Sequence, residues 1–175
     1  DTIYALWADS RSGGMRPYIG KSTDGGVTWE PPVVVPSAWI AESFISSMAF
    51  CARRDASGDH LYVLQSESLV PSVSLSLATS HDGGASFSVA EVNNVEISVV
   101  SYIRLAVEAG VVHVAWGDRR FQPNDVDLFY DRSVDDGATF GVEQRLDYGG
   151  AGVGGLRGID LVAEGSDVAI AFSEF

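Results

Sequence analysis

Ser22-Thr23-Asp24-Gly25-Gly26-Val27-Thr28-Trp29 is the first of three related stretches in this chain. Ser80-His81-Asp82-Gly83-Gly84-Ala85-Ser86-Phe87 is the second, and Ser133-Val134-Asp135-Asp136-Gly137-Ala138-Thr139-Phe140 the third. Their shared register is Ser-x-Asp-x-Gly-x-x-aromatic, and the aspartates are 58 and then 53 residues apart. A near-constant period of this length marks a repeat architecture. The stretch itself is turn chemistry. An Asp carboxylate accepts hydrogen bonds from backbone N–H groups just ahead of it, and Gly permits positive φ. A Ser hydroxyl joins that network, and the closing ring buries a large apolar surface beside the turn. A structural role is therefore expected for Ser22, Asp24, Gly26 and Trp29, for Ser80, Asp82, Gly84 and Phe87, and for Ser133, Asp135, Gly137 and Phe140. Asp-Gly turns also occur in calcium loops, but the spaced oxygen ligands and distal Glu of an EF-hand are missing here. Neither a metal nor a cofactor is expected.

Working outward, the segments around each stretch read as strands. Thr2–Trp7, His60–Gln65, Val111–Trp116 and Asp167–Phe172 are rich in β-branched and aromatic residues and bounded by Gly, Asp or Ser. In the first three copies a polar loop follows, then a second strand (Pro17–Lys21, Val73–Ala78, Asp127–Asp131), then the turn. A third strand comes after each turn: Trp29–Val35, Phe87–Val92 and Phe140–Leu146. A further apolar strand precedes the next copy: Phe44–Phe50, Tyr102–Val107 and Leu156–Val162. No helical periodicity is present. The unit is four short strands, A to D, and the chain runs B-C-D, ABCD, ABCD, AB, thirteen strands in all. The expected fold is all-β, with β-propeller blades of four antiparallel strands, about three blades plus a partial one. It is read as a single partial propeller over 1–175, with units near 1–36, 44–93, 101–147 and 156–175. The Gly-rich run Tyr148–Gly158 is expected to connect two units, or to form a loop over a central pocket.

Composition narrows the function classes. With 24 acidic against 11 basic residues the net charge is −13, which repels a phosphate backbone and an anionic leaflet. Nucleic acid is not an expected partner, and no apolar run is long enough for a membrane span. The hydrophobic fraction of 46% supports a packed core. Cys51 is the sole cysteine, so no intrachain disulfide can form, and it reads as a small core residue. His60, His113 and His81 have no triad or metal partner at a telling spacing, and read as structural or surface residues.

The triple Ser-x-Asp-x-Gly-x-x-aromatic register resembles the Asp-box, or bacterial neuraminidase repeat, of sialidase-like β-propellers. Val114–Arg120 with Asp127–Tyr130 ahead of the third stretch is similar to a typical repeat of that family, and Trp7-Ala-Asp-Ser-Arg11 repeats its Trp-x-Asp element. The resemblance covers nearly the whole chain. It implies glycan recognition at a central channel, with exo-sialidase-type glycoside hydrolysis as the reaction if there is one. It also implies an extracellular or periplasmic setting. A non-catalytic propeller scaffold or protein-interaction module is the alternative, because the repeat serves both kinds of protein. Sialidases hold a substrate carboxylate with several arginines, use an Asp as acid/base and a Tyr as nucleophile. Guanidinium forks suit a carboxylate because each donates two parallel hydrogen bonds. The Arg-Ile-Pro signature of that family is absent; Tyr102-Ile103-Arg104-Leu105 is a distant echo. By this resemblance Arg104 and Arg157, near the starts of A strands, are candidate ligand contacts. So are Asp9, Arg11, Asp118, Arg119 and Arg120 on B-to-C loops, with Glu67 and Glu174 on the same rim. Asp9 and Asp118 recur between repeats, which favours a structural role for both. No catalytic residue is assigned.

Propellers close with about 4–8 blades. Thirteen strands supply fewer, so the end sheets would each leave an apolar face uncovered. The expectation is self-association, or further blades from a longer chain.

Overall fold

The computed structural model describes residues 1–11, 14–38, 44–69, 72–95, 97, 99–122, 124–147 and 155–174. Among them are thirteen strands and no helix. The first sheet joins β1 (Ile3–Asp9), β2 (Arg16–Ser22) and β3 (Val33–Val34). The second joins β4 (Phe44–Asp55), β5 (Gly58–Leu69), β6 (Ser72–Ser80) and β7 (Ser88–Glu91). The third joins β8 (Val100–Glu108), β9 (Val111–Asp118), β10 (Asp127–Ser133) and β11 (Gln144–Arg145). The fourth pairs β12 (Gly158–Glu164) with β13 (Asp167–Ser173). Every pairing between these strands is antiparallel and sequential. The all-β class and the strand count agree with the sequence expectation.

Two strand lengths depart from it. The strand expected over Trp29–Val35 shrinks to Val33–Val34, and that over Phe140–Leu146 to Gln144–Arg145. Pro31 and Pro32 have no N–H to give to β2, so ladder pairing waits until Val33. In the other direction, β4 and β5 each run to 12 residues, longer than the apolar run alone suggested. Their polar ends pair from Asp55↔Gly58 outward, where the hydrophobic pattern carries no signal.

The sheets pack face to face in chain order. Ile19 and Val35 of the first sheet region meet Leu61, Val63 and Ala78 of the second, with Tyr4, Leu6 and Phe87 against them. Tyr62, Leu64, Leu75 and Leu77 of the second meet Val112, Val114 and Trp116 of the third. Ala115 and Leu128 of the third meet Leu156, Ile159 and Leu161 beside and within the fourth. Alternate residues of one strand thus serve opposite interfaces: Leu61 and Val63 point back, Tyr62 and Leu64 point forward. That period-two sorting explains why β9 and the Leu61–Leu64 centre of β5 are buried on both faces and read as nearly unbroken apolar runs. The leading strands β4, β8 and β12 lie side by side in succession.

The second and third turns also touch the preceding sheet. Phe87 packs with the first-to-second interface and Phe140 with the second-to-third. Trp29 holds the same position in the first sheet, yet it is 46% exposed, with its ring beside Gly20. At the other end Val162, Val168 and Phe172 are exposed. Gly137 shows how tight the contact is. A Cβ there would lie 2.6 Å from Leu77 Cδ2 and 2.9 Å from Thr79 Cγ2, both on β6. At Gly26 the nearest neighbour would be Ile3 Cδ1 at 3.6 Å. Both glycines have positive φ, +88° and +93°. Alanine at either site therefore costs about 1–2 kcal/mol from the backbone. Overlap adds about 1–3 kcal/mol only at Gly137. Urea unfolding should show Gly137→Ala losing more stability than Gly26→Ala by that margin, and equal losses would contradict this packing.

Candidate functional site

The three turns carry one hydrogen-bond network. Ser22, Ser80 and Ser133 Oγ donate to Oδ1 of Asp24, Asp82 and Asp135 at 2.8, 2.8 and 2.6 Å. The same hydroxyls accept from the N–H of Gly26, Gly84 and Gly137 at 2.8, 2.9 and 2.9 Å. Oδ1 then accepts the backbone N–H of Thr28, Ser86 and Thr139 at 2.9, 2.9 and 2.8 Å. The hydroxyls of these last three residues donate to Oδ2 at 2.6, 2.5 and 2.5 Å. The fourth contact was missed by the sequence register, which left that position open although all three copies hold Thr or Ser there. These donors hold the Asp24 carboxyl down to about 2, its side-chain bond from Thr28 being the largest cause. Asp135 is likewise held at about 2, led by Ser133, and Asp82 is lowered with Ser86 as the leading cause. Fully engaged carboxylates of this kind fold the chain and leave little for chemistry.

At the far end of the sheets lies a second recurring unit. The register Ile3↔Ser22, Leu61↔Ser80 and Val112↔Ser133 makes Trp7, Gln65 and Trp116 equivalent, and likewise Asp9, Glu67 and Asp118. Trp7 Nε1 donates to Asp9 Oδ2 at 3.2 Å and Arg11 Nε to the same oxygen at 2.7 Å. The Arg11 guanidinium sits 5.0 Å from the Tyr18 ring centre and is the main cause lowering the Asp9 pKa. Trp116 Nε1 donates to Asp118 Oδ2 at 3.1 Å. Arg120 Nε reaches both Asp118 oxygens at 3.0 and 2.9 Å, and Arg120 also pairs with Glu143. Its guanidinium lies 3.8 Å from the Phe129 ring centre. Asp118 is fully buried in this clip. Asp9 and Asp118 end β1 and β9, so they stand at strand ends, with the arginines two residues on.

The second sheet replaces the clip. Gln65 Nε2 donates to Pro36 O at 2.7 Å, and Glu67, fully buried within β5, accepts from Ser76 Oγ and from Ala38 N at 3.2 Å. Glu67 is thus the one carboxylate of the three whose place differs from its equivalents. Arg104 is the fifth residue of β8, further along than the expected strand start, beyond a register shift at Ser101 and a positive φ of 55° at Tyr102. Its exposed side chain donates to Ile103 O at 2.9 Å. Arg157 directly precedes β12, exposed, its N–H donating to Ser173 O at 2.9 Å. Arg119 N–H donates to Val99 O at 3.4 Å, and Glu174 is exposed after β13. Residues 148–154 of the glycine-rich run lie outside the described residues; Gly155 bridges Val126. Cys51 is part-buried against the second-to-third core, and burial raises its thiol pKa.

Histidines come together that the sequence kept apart. His113 is buried, its Nδ1 2.8 Å from Tyr130 Oη, and desolvation lowers its pKa. His60 Nδ1 lies 2.9 Å from His81 Nδ1, and His81 Nδ1 lies 3.5 Å from Asp136 Oδ2. Asp136 was not singled out from the sequence. The available signal was its place in the third turn, where the other two turns carry Gly25 and Gly83.

No protein-family model matches the chain. No curated protein matches it either. Solved structures do. One is described as NanB plus Optactamide, with a TM-score of 0.45 at 15% identity, over 84% of this chain and 25% of that one. Another is the NanB sialidase from Streptococcus pneumoniae in complex with 2-[(3-chlorobenzyl)ammonio]ethanesulfonate, at 0.44 and 16%, with the same coverage. The chain spans 25% of the length of these structures.

The turn carboxylates set an acid limit. Their folded values sit below the ordinary 3.8, so their contribution is complete above that pH and drains as pH falls towards 2. Carbon-13 titration should place the Asp24 and Asp135 midpoints near pH 2; midpoints near 3.8 would mean the networks do not form in solution.

Proposed function

We propose that the chain is a section of a sialidase-like Asp-box β-propeller that recognises glycans at the channel end of its inner strands β4, β8 and β12. The carrying observation is the threefold recurrence of one carboxylate network at one register on three successive sheets. In such a propeller these turns form the outer rim, and the Trp-Asp-Arg clips and Glu67 belong to the opposite rim. The clips commit Arg11 and Arg120 to their own carboxylates; Arg104 on the leading strand β8 and Arg157 beside β12 are the assigned contacts for an acidic sugar. Units near 1–36, 44–93, 101–147 and 156–175 are its blades. Exo-sialidase-type hydrolysis is the reaction of the complete site. The second reading, a non-catalytic scaffold or interaction module, is favoured by the same commitment of Arg11 and Arg120. An extracellular or periplasmic setting fits the glycan reading.

The uncovered faces around Trp29 and around Val162, Val168 and Phe172 belong, on this reading, against further sheets of the same kind, from a longer chain or, for this chain by itself, from a second copy. Light scattering should report oligomers that grow with concentration, and a monomer at all concentrations would contradict that packing. Calorimetric titration with sialyllactose should give saturable binding that weakens at least about tenfold in Arg104→Ala, the scale of one charge-assisted fork. Turnover of a fluorogenic sialoside separates hydrolysis from binding. No binding of any acidic sugar would overturn the glycan reading and leave the scaffold.

A further inference from the structure

We propose that His60, His81 and Asp136 form a binding site for one divalent transition-metal ion of the zinc class, joining the second sheet to the third. This departs from the sequence expectation of no metal and is independent of any glycan. His60 stands near the start of β5, His81 follows β6 in the second turn, and Asp136 lies in the third turn. One ligand atom from each falls within 4.8 Å of the others. The two measured separations, 2.9 Å between the Nδ1 atoms and 3.5 Å from His81 Nδ1 to Asp136 Oδ2, bracket what a tetrahedral ion needs. Zinc–ligand bonds of about 2.0–2.1 Å put neighbouring donors roughly 3.3 Å apart. The remaining pair lies within 4.8 Å, so binding draws the three donors together around the ion.

The surrounding groups orient these donors. Asp55 Oδ1 lies 3.1 Å from His60 Nε2 and Ser57 Oγ lies 2.9 Å from it. The Ser57 hydroxyl donates to Asp55 Oδ1, so the carboxylate and the hydroxyl oxygen both stand as acceptors for the Nε2–H. That fixes the tautomer with a lone pair on Nδ1, aimed at His81. A carboxylate behind a metal-binding histidine is the usual second partner of such sites. Tyr62 Oη donates to Asp136 Oδ1 in a short bond, which leaves Oδ2 for the ion. Two imidazole nitrogens facing each other at 2.9 Å can share one proton; a cation bonded to both satisfies both lone pairs. His81 and Asp136 side chains are 48% and 37% exposed, so water has access to complete the coordination. Histidine nitrogens with one carboxylate oxygen favour zinc and its neighbours over calcium or magnesium.

The other repeats supply the contrast. At the place of His81 they carry Thr23 and Val134, and at the place of Asp136 they carry Gly25 and Gly83. Asp136 keeps the left-handed backbone of those glycines, φ 61° against 76° and 70°. A side chain has been put where glycine serves the turn twice over, and it points at the two histidines.

The same contrast provides variants whose backbone the sibling turns already adopt. Tag-free protein, stripped with chelator, is titrated with zinc chloride by calorimetry and by competition with a chromophoric chelator. Expected are one equivalent bound and a thermal midpoint raised by saturating zinc. His81→Val and Asp136→Gly install residues the sibling turns already use. His81→Val should keep the metal-free midpoint, Asp136→Gly should lower it because the buried Tyr62 hydroxyl loses its acceptor, and each should weaken zinc binding at least tenfold. Cobalt in place of zinc should show visible absorption in the wild type that both variants lose. No saturable single-equivalent binding, or binding unaltered in both variants, would overturn the proposal. If one variant fails to fold, the other decides.

Discussion

Everything in this chain depends on sheets burying each other's faces. A sheet that is apolar on both faces must bury each of them against another layer. Here β5 and β9 are covered on both sides, because the residues of one face reach backward and those of the other reach forward. The Ser-Asp-Gly turns make this arrangement definite. They close the sheet with a satisfied carboxylate, and their glycines and rings then fit against the sheet before. Turn chemistry and interface packing are one device, repeated.

The same dependence explains how the polar groups divide. At one end, carboxylates are spent on the turns; at the other, Asp9 and Asp118 are spent on a tryptophan and an arginine each. Burying Asp118 completely is tolerable because Trp116 and Arg120 both donate to it and the ion pair is capped by the Phe129 ring. Tyr4 and Tyr62 occupy equivalent places and each donates to a carboxylate of the next sheet, Asp59 and Asp136. Departures from the repeat are where individuality lies: Gln65 and Glu67 in place of the clip, and His81 and Asp136 in turns that elsewhere hold small or glycine residues.

Much of the fold was legible because its signals are local. Alternating apolar residues, a turn register seen three times and the absence of helical periodicity are enough for thirteen antiparallel strands. Strand ends were less legible: Pro31 and Pro32 shorten β3, while β4 and β5 extend on backbone pairing that hydropathy does not report. Candidate residues were found one by one, but their company was not. Arg11 and Arg120 read as candidate ligand contacts in sequence, and in the structure each pairs with the carboxylate two residues before it. His60 and Asp136 belong to different sheets, so only the stacking of those sheets brings them together, and no spacing rule within one repeat could.

Amide hydrogen exchange tests the central claim most directly, because protection follows how deeply each ladder is buried. If the sheets stack in chain order, the slowest amides belong to β5 and β9, with β1 and β13 exchanging much faster at the uncovered ends. Equal protection in all four sheets, or slowest exchange in β13, would contradict the stack.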